Sequence, residues 1–301
     1  MKESAPIAVF AYDRPRHLEI VLAALARSPG FSPERLHVFC DAAAGEEDAA
    51  GCEAARAAAR RWIRRHGGRL VERPRNYRFR NITEAVGELC AERGRAVVVE
   101  DDVVVSPDFL AFVDGALDRY AEDPRVFLVG GYMFAAEHPP VPPLFFAPIA
   151  LAWGWATWKR AWDLYEYHPR DWRSVLAGPE ARWRFDAGGS FAYSETLEQT
   201  MEGGFDSWDT QWYFTLFRHG GLGLYPARSL VWNAGLGGGF HGPDDRHALD
   251  RRDPVIHGAA TRQDFAAPRL PPGWSWPERV AVDEEAFARI GRALARFAHG
   301  V

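Results

Sequence analysis

Short apolar runs alternate with longer amphipathic stretches through the first hundred residues, and this alternation predicts the elements. Ile7-Ala8-Val9-Phe10-Ala11-Tyr12 reads as a strand. Behind it Leu18, Val21, Leu22 and Leu25 recur at helical spacing until Ser28-Pro29-Gly30 ends the helix. Leu36-His37-Val38-Phe39-Cys40 is a second strand, closing on Asp41. The Ala- and Arg-rich stretch from Glu46 to His66 is a second helix, stopped by Gly67-Gly68. Arg69-Leu70-Val71-Glu72 is a short strand followed by the basic loop Arg73-Pro74-Arg75-Asn76-Tyr77-Arg78. A third helix spans Ile82 to Arg93, and Ala96-Val97-Val98-Val99 is a strand with no polar face, the mark of burial on both sides. Strand and helix alternating in this way imply an α/β fold, with a largely parallel central sheet flanked by helices on both faces.

Past residue 102 the pattern changes. Ser106-Pro107 reads as N-cap and first position of a helix running to Tyr120, and Arg125–Val129 is a strand ending at Gly130-Gly131. A Pro- and aromatic-rich segment runs to Trp172, followed by helices at Tyr193–Glu202 and Trp208–His219. Strands at Leu222–Tyr225 and Ser229–Trp232 and a last helix at Glu284–Phe297 complete the prediction. No internal repeat or low-complexity linker appears. One domain is expected, with a regular half at about residues 1–131, an irregular aromatic-rich half at 132–245 and a C-terminal extension at 246–301.

Charge and cysteine content narrow the function. There are 36 Lys and Arg against 41 Asp and Glu, a net charge of −5, so no global field favours nucleic acid. The arginines between Arg56 and Arg80 read as a solvated helix face. Three cysteines, Cys40, Cys52 and Cys90, without a Cys-x-x-Cys pair, point to a reducing compartment and against a disulfide framework or structural zinc. The Asn81-Ile82-Thr83 sequon then carries no weight. Residues 1–5 do not read as a signal peptide, and the apolar stretch Pro142–Trp158 is too interrupted to span a bilayer, so a cytoplasmic protein is expected. A peripheral membrane contact stays open. Most of the 12 tryptophans lie between Trp153 and Trp232, as core or as ligand platforms.

Acidic residues mark the candidate chemistry. Glu100-Asp101-Asp102 closes the two-sided strand, where open α/β sheets bind ligands, and carboxylates there suit a hard divalent cation bridging to a diphosphate. Asp13-Arg14 and Asp41 follow the first two strands, where a nucleoside is expected, although both aspartates also read as helix caps. Asp206-Ser207-Trp208-Asp209 opens a helix; capping accounts for one aspartate and leaves the other for proton abstraction from a hydroxyl. The loop Gly235–Gly242 contains Gly237-x-Gly239-x-x-Gly242, but Pro243-Asp244-Asp245 follows where a dinucleotide fingerprint needs a helix. What survives is a glycine loop able to approach phosphate, carrying His241, a candidate metal ligand.

These residues together resemble a family. Val97-Val98-Val99-Glu100-Asp101-Asp102 with Ser106-Pro107-Asp108-Phe109 is similar to the metal-binding signature of GT-A glycosyltransferases, notably the N-acetylglucosaminyltransferase I type and related bacterial sugar transferases. Ala11-Tyr12-Asp13-Arg14, Val38-Phe39-Cys40-Asp41, Trp153–Trp158, Phe205–Trp208 and Gly239–Gly242 extend the likeness in order, over about residues 6–245. The resemblance implies a GT-A (Rossmann-like) fold. It implies an enzyme that moves a hexosyl or N-acetylhexosaminyl group from a nucleotide-sugar donor, UDP-linked, to a hydroxyl of a glycan, lipid-linked or small-molecule acceptor, with inversion. By position, Arg14 and Asp41 would hold the nucleotide and Glu100 and Asp101 the donor's hydroxyls. Asp102 would ligate Mn²⁺ or Mg²⁺, with His241 near metal and phosphate. Trp153, Gly154 and Trp155 would wall the sugar, and Asp206 would be the base. The family has paired acids where this chain has Asp206-Ser207, so Asp209 remains a rival. A sugar nucleotidyltransferase is a second reading, weakened by Ala11–Pro15 where its Gly-rich basic loop would stand. A non-catalytic carbohydrate-binding protein is a third.

Overall fold

A computed structural model describes residues 4–135, 142–235 and 269–299. Strands β1 (Ile7–Ala11), β2 (Leu36–Cys40), β3 (Arg69–Glu72) and β4 (Arg95–Glu100) lie parallel, in the spatial order β3-β2-β1-β4. They are joined by α1 (Pro15–Ala26), α2 (Glu46–His66) and α3 (Arg80–Arg93). The chain steps outward from β1 to β3, then jumps back across β1 to β4. Right-handed crossovers therefore put α1 and α2, which pack on each other, on one face and α3 on the other. The strand order reverses between β1 and β4. That reversal opens a crevice at their carboxyl ends, the usual ligand position in such sheets.

The second half completes the sheet in an order the hydrophobic pattern does not announce. The eight strands run β3-β2-β1-β4-β8-β6-β9-β7, with β6 (Val126–Gly130), β7 (Leu144–Ala147), β8 (Trp155–Trp158) and β9 (Leu222–Pro226). Only β8 and β7 oppose the rest, so the sheet is mixed but mostly parallel. β7 and β8 lie within the segment expected to be irregular. All their residues are buried, so neither shows the alternation that marks a half-exposed strand.

Two further corrections concern the region after the acidic triplet. Val103–Val105 forms a strand, β5, antiparallel to β10 (Val231–Asn233), in a separate two-stranded sheet. The helix expected from Ser106-Pro107 begins later, as α4 (Phe109–Arg119), and Ser106 accepts the Phe109 N–H through its backbone carbonyl rather than capping with its hydroxyl. Residues 159–218 add α5 (Lys159–Trp162), α6 (Trp172–Val175), α7 (Pro179–Phe185), α8 (Tyr193–Met201) and α9 (Asp209–Arg218). The C-terminal helix, α10, is Glu284–His299. No helix among the described residues is long and apolar enough to cross a membrane.

Seven of the twelve tryptophans, Trp155, Trp158, Trp162, Trp172, Trp208, Trp212 and Trp232, are buried, so they serve as core rather than as a ligand platform. Trp155 stacks on Trp208 with ring centroids 5.5 Å apart, and Trp162 packs on Trp212 at 4.9 Å. This cluster fastens α9 to β8, hence to β4 beside it.

Gly154, just before β8, combines a left-handed φ of +58° with close packing: a Cβ there would lie 2.6 Å from Val231 Cγ1. Gly94, which ends α3, also has positive φ (+75°) but faces open space. Gly94→Ala should therefore cost about 1 kcal/mol, for the backbone conformation alone. Gly154→Ala adds overpacking and should cost roughly 2–5 kcal/mol. Denaturant unfolding of the two variants checks the order; equal losses would remove the packing term.

Candidate functional site

Because Val97, Val98 and Val99 are sealed on both faces, the charges of β4 can appear only at its end, beside the end of β1. Two contacts bridge the crevice between those strands. The Tyr12 N–H donates to Asp101 Oδ2 at 3.2 Å, and Arg14 Nη1 donates to Asp102 Oδ2 at 2.9 Å. From the other side the Ala234 N–H donates to the Asp102 carbonyl at 2.7 Å, an extension of the β5–β10 pairing. Gly235 passes so close that any Cβ on it would collide with the Asp102 carboxylate. The triplet is thus a tight turn held by both halves of the chain.

Its electrostatics are unbalanced. Burial, then the neighbouring Asp102 charge, pushes Asp101 up to about 7, against the opposing pull of Arg14 and the Tyr12 N–H. Glu100 is held well above the usual carboxylate range, by burial first and then by the charges of Asp102, Asp101 and Asp209. Among the described residues no three His, Cys, Asp or Glu side chains converge as a self-sufficient cage. A hard divalent ion shared between one or two carboxylates and a diphosphate needs none, so Asp102 with half-buried Glu100 fits that ion. His241 lies outside the described residues.

The other expected residues divide. Arg14 stands at the N-cap position of α1 with no side-chain cap bond, and Gly45, not Asp41, precedes α2, so neither aspartate caps as the sequence suggests. Asp41 is buried, and its carboxylate is occupied by backbone: Oδ1 accepts the N–H groups of Ala42 and Tyr77, both at 2.9 Å, and Oδ2 that of Arg78 at 2.9 Å. It acts as the anchor of the basic loop after β3. Trp155 is wholly buried and Gly154 nearly so, which removes both from a sugar-facing wall. Trp153 is half-buried, edge-on to Tyr132 at 4.6 Å.

The two aspartates around α9 have different jobs. Asp209, the first residue of α9, accepts the Ser207 hydroxyl and the Thr210 N–H with one oxygen, so that oxygen is engaged within the helix start. Its charge is also felt at Glu100. Asp206 is left for other work: it accepts the Tyr167 hydroxyl at 2.7 Å and lies 3.7 Å from Arg78 Nε. Burial and then that hydrogen bond raise the Tyr167 hydroxyl above its ordinary range.

Sequence reasoning misses Arg78, Arg80 and Tyr167. The pattern makes Arg73–Arg78 a loop and its arginines part of a solvated helix face. The structure instead buries Arg73, whose Nε donates to Asn81 Oδ1 at 2.9 Å, and brings Arg78 and Arg80 to Asp206 and Tyr167. Arg78 holds a left-handed φ of +54°, a conformation costing an ordinary residue of order 1–3 kcal/mol. The hint in the sequence is the crowding of Arg75, Arg78 and Arg80 around a tyrosine, ahead of the helix rather than along it.

No protein-family model matches the chain. Among solved structures it is similar to a mannosyltransferase from Pyrobaculum calidifontis in complex with GDP-Man and Mn²⁺, at 13% identity over 73% of this chain and 70% of that one, with a TM-score of 0.41. S. aureus TarS 1-349 is similar at 12% identity over 76% of this chain and 60% of that fragment, with a TM-score of 0.42. Mannose-1-phosphate geranyltransferase from Thermus thermophilus is similar at 14% identity over 77% of this chain and 76% of its own, with a TM-score of 0.40. Likeness at this level is too low to transfer an activity or a residue's role.

Asp41→Ala removes the acceptor of three backbone N–H groups and should cost roughly 2–4 kcal/mol. Hydrogen exchange checks the anchoring role, with faster exchange expected at the Tyr77 and Arg78 amides. Unchanged protection there would mean the loop holds itself.

Proposed function

We propose that this chain is a metal-dependent glycosyltransferase of the GT-A kind, transferring a sugar from a nucleoside diphosphate, UDP by the sequence resemblance, to an acceptor hydroxyl. The observation that carries this is the bridged crevice at the strand-order reversal, where Arg14 meets an acidic turn whose Glu100 and Asp101 are held above the usual carboxylate range. The finer likeness to the N-acetylglucosaminyltransferase I type, and the hexosyl or N-acetylhexosaminyl nature of the sugar, rest on the ordered motifs alone.

The roles follow from charge and position. Asp102, with Glu100 beside it, would hold Mn²⁺ or Mg²⁺, which when bound supplies Lewis-acid stabilisation of the leaving diphosphate. Arg14, paired with Asp102, adds a second positive group at the same place. Asp101, fixed by the Tyr12 N–H, orients the turn and faces the donor. Asp206 takes the proton of the acceptor hydroxyl as its oxygen bonds to the anomeric carbon and the carbon–oxygen bond to the diphosphate breaks, which inverts that carbon. Asp209 is the rival base, favoured by its charge at Glu100 and opposed by its local bonds to Ser207 and Thr210.

Two other readings fit less well. A nucleotidyltransferase lacks its basic glycine loop at Ala11-Tyr12-Asp13-Arg14-Pro15. A carbohydrate-binding module is suggested by the tryptophans, and most of those are core.

Calorimetry of UDP with and without Mn²⁺ tests the donor site, and Asp102→Ala should lose the metal-dependent part of binding while keeping the wild-type circular dichroism. Metal-independent UDP binding by the wild type would count against the ion. For the base, Asp206→Asn should lower turnover by about 10²–10⁴ with little change in UDP affinity. If Asp209→Asn does so and Asp206→Asn does not, the roles exchange.

A further inference from the structure

The loop after β3 carries the reverse charge and reaches Asp206. Arg75, Arg78 and Arg80 are all exposed within one short stretch. Among the described residues no carboxylate pairs with Arg75 or Arg80; their guanidinium groups lie against the rings of Tyr77 and Tyr167, at 5.3 and 4.5 Å. Arg78 has one ion-pair partner among them, Asp206, at a loose 3.7 Å. Tyr167, under Arg80, donates its hydroxyl to that same Asp206. Arg78 therefore reaches Asp206 directly, and Arg80 lies on the ring whose hydroxyl Asp206 accepts. Arg78 is also kept in a left-handed conformation by a buried carboxylate, Asp41, that grips its backbone. A solvated surface arginine has no need of such support.

We infer that Arg78 and Arg80 form a subsite for an oxyanion on the acceptor, so that the acceptor is an acidic molecule bearing a carboxylate or phosphate. This rests on the glycosyltransferase reading above. The donor's diphosphate would have its own positive group in Arg14, with the ion that Asp102 would hold. An oxyanion bound by Arg78 would draw that guanidinium off Asp206, leaving the carboxylate to receive the hydroxyl proton. A neutral acceptor leaves Arg78 on Asp206. Acceptor charge and base availability are thereby linked through one side chain, and planar guanidinium groups suit both oxyanions.

The test uses paired acceptors in the presence of UDP and Mn²⁺: methyl glucuronide against methyl glucoside, and glucose 6-phosphate against glucose. Calorimetry on the full chain should show the charged member of at least one pair binding at least about tenfold more tightly. Arg78→Gln with Arg80→Gln should abolish that preference, and Arg78→Lys alone should retain part of it. UDP affinity measured separately should be the same in all variants. Equal binding of charged and neutral members by the wild type overturns the inference, as does a fall in UDP affinity in the double variant, which would assign both arginines to the donor. Failure of the wild type to bind UDP at all overturns the glycosyltransferase reading itself.

Discussion

A strand buried on both faces can place charge only at its ends, and this constraint organises the molecule. Val97–Val99 fill the middle of β4 with side chains that touch no water, so Glu100, Asp101 and Asp102 emerge together where the strand runs out. Three adjacent carboxylates repel one another, and burial leaves little solvent to screen them. Arg14, the Tyr12 amide and the Ala234 amide each answer part of that problem. Burial and mutual repulsion still leave Glu100 and Asp101 above the usual carboxylate range, so the turn stays electrostatically costly.

The aromatic half positions what faces that turn. Indole rings are large and rigid, so a stack of them transmits position across a core with little slack. Trp155 on β8, Trp208 before α9 and Trp162 and Trp212 around them lock the start of α9 against the sheet. Asp206 and Asp209, on either side of Trp208, are thereby held against the sheet by buried rings.

Much of the regular half is legible from pattern alone. The second helix and the third strand occupy the residues their patterning marks, Glu46–His66 and Arg69–Glu72, because Gly67-Gly68 stops the one and charged ends bound the other. The carboxyl-end positions of Arg14, Asp41 and Glu100–Asp102 follow from the same alternation. β7 and β8 are not legible, since full burial erases the period of two. Nor is the role of Asp41, whose oxygens are filled by amides of residues 77 and 78, a partnership no spacing encodes. The arginines at 78 and 80 escape for a related reason: local periodicity assigns them to a helix face, and only tertiary approach to Asp206 and Tyr167 shows otherwise.

The insertion of β8 between β4 and β6 has a consequence for how the chain can be divided or assembled. β4 leaves the ribosome with β1 available on one side, but its other neighbour arrives only at Trp155–Trp158, more than fifty residues later. Until then Val97 and Val98 present an open, wholly apolar edge, the kind of surface that templates pairing between chains. A fragment cut near residue 131 would keep that edge permanently. The regular half is therefore not a module that could be transplanted or expressed by itself; its central strand is finished by a piece of the other half.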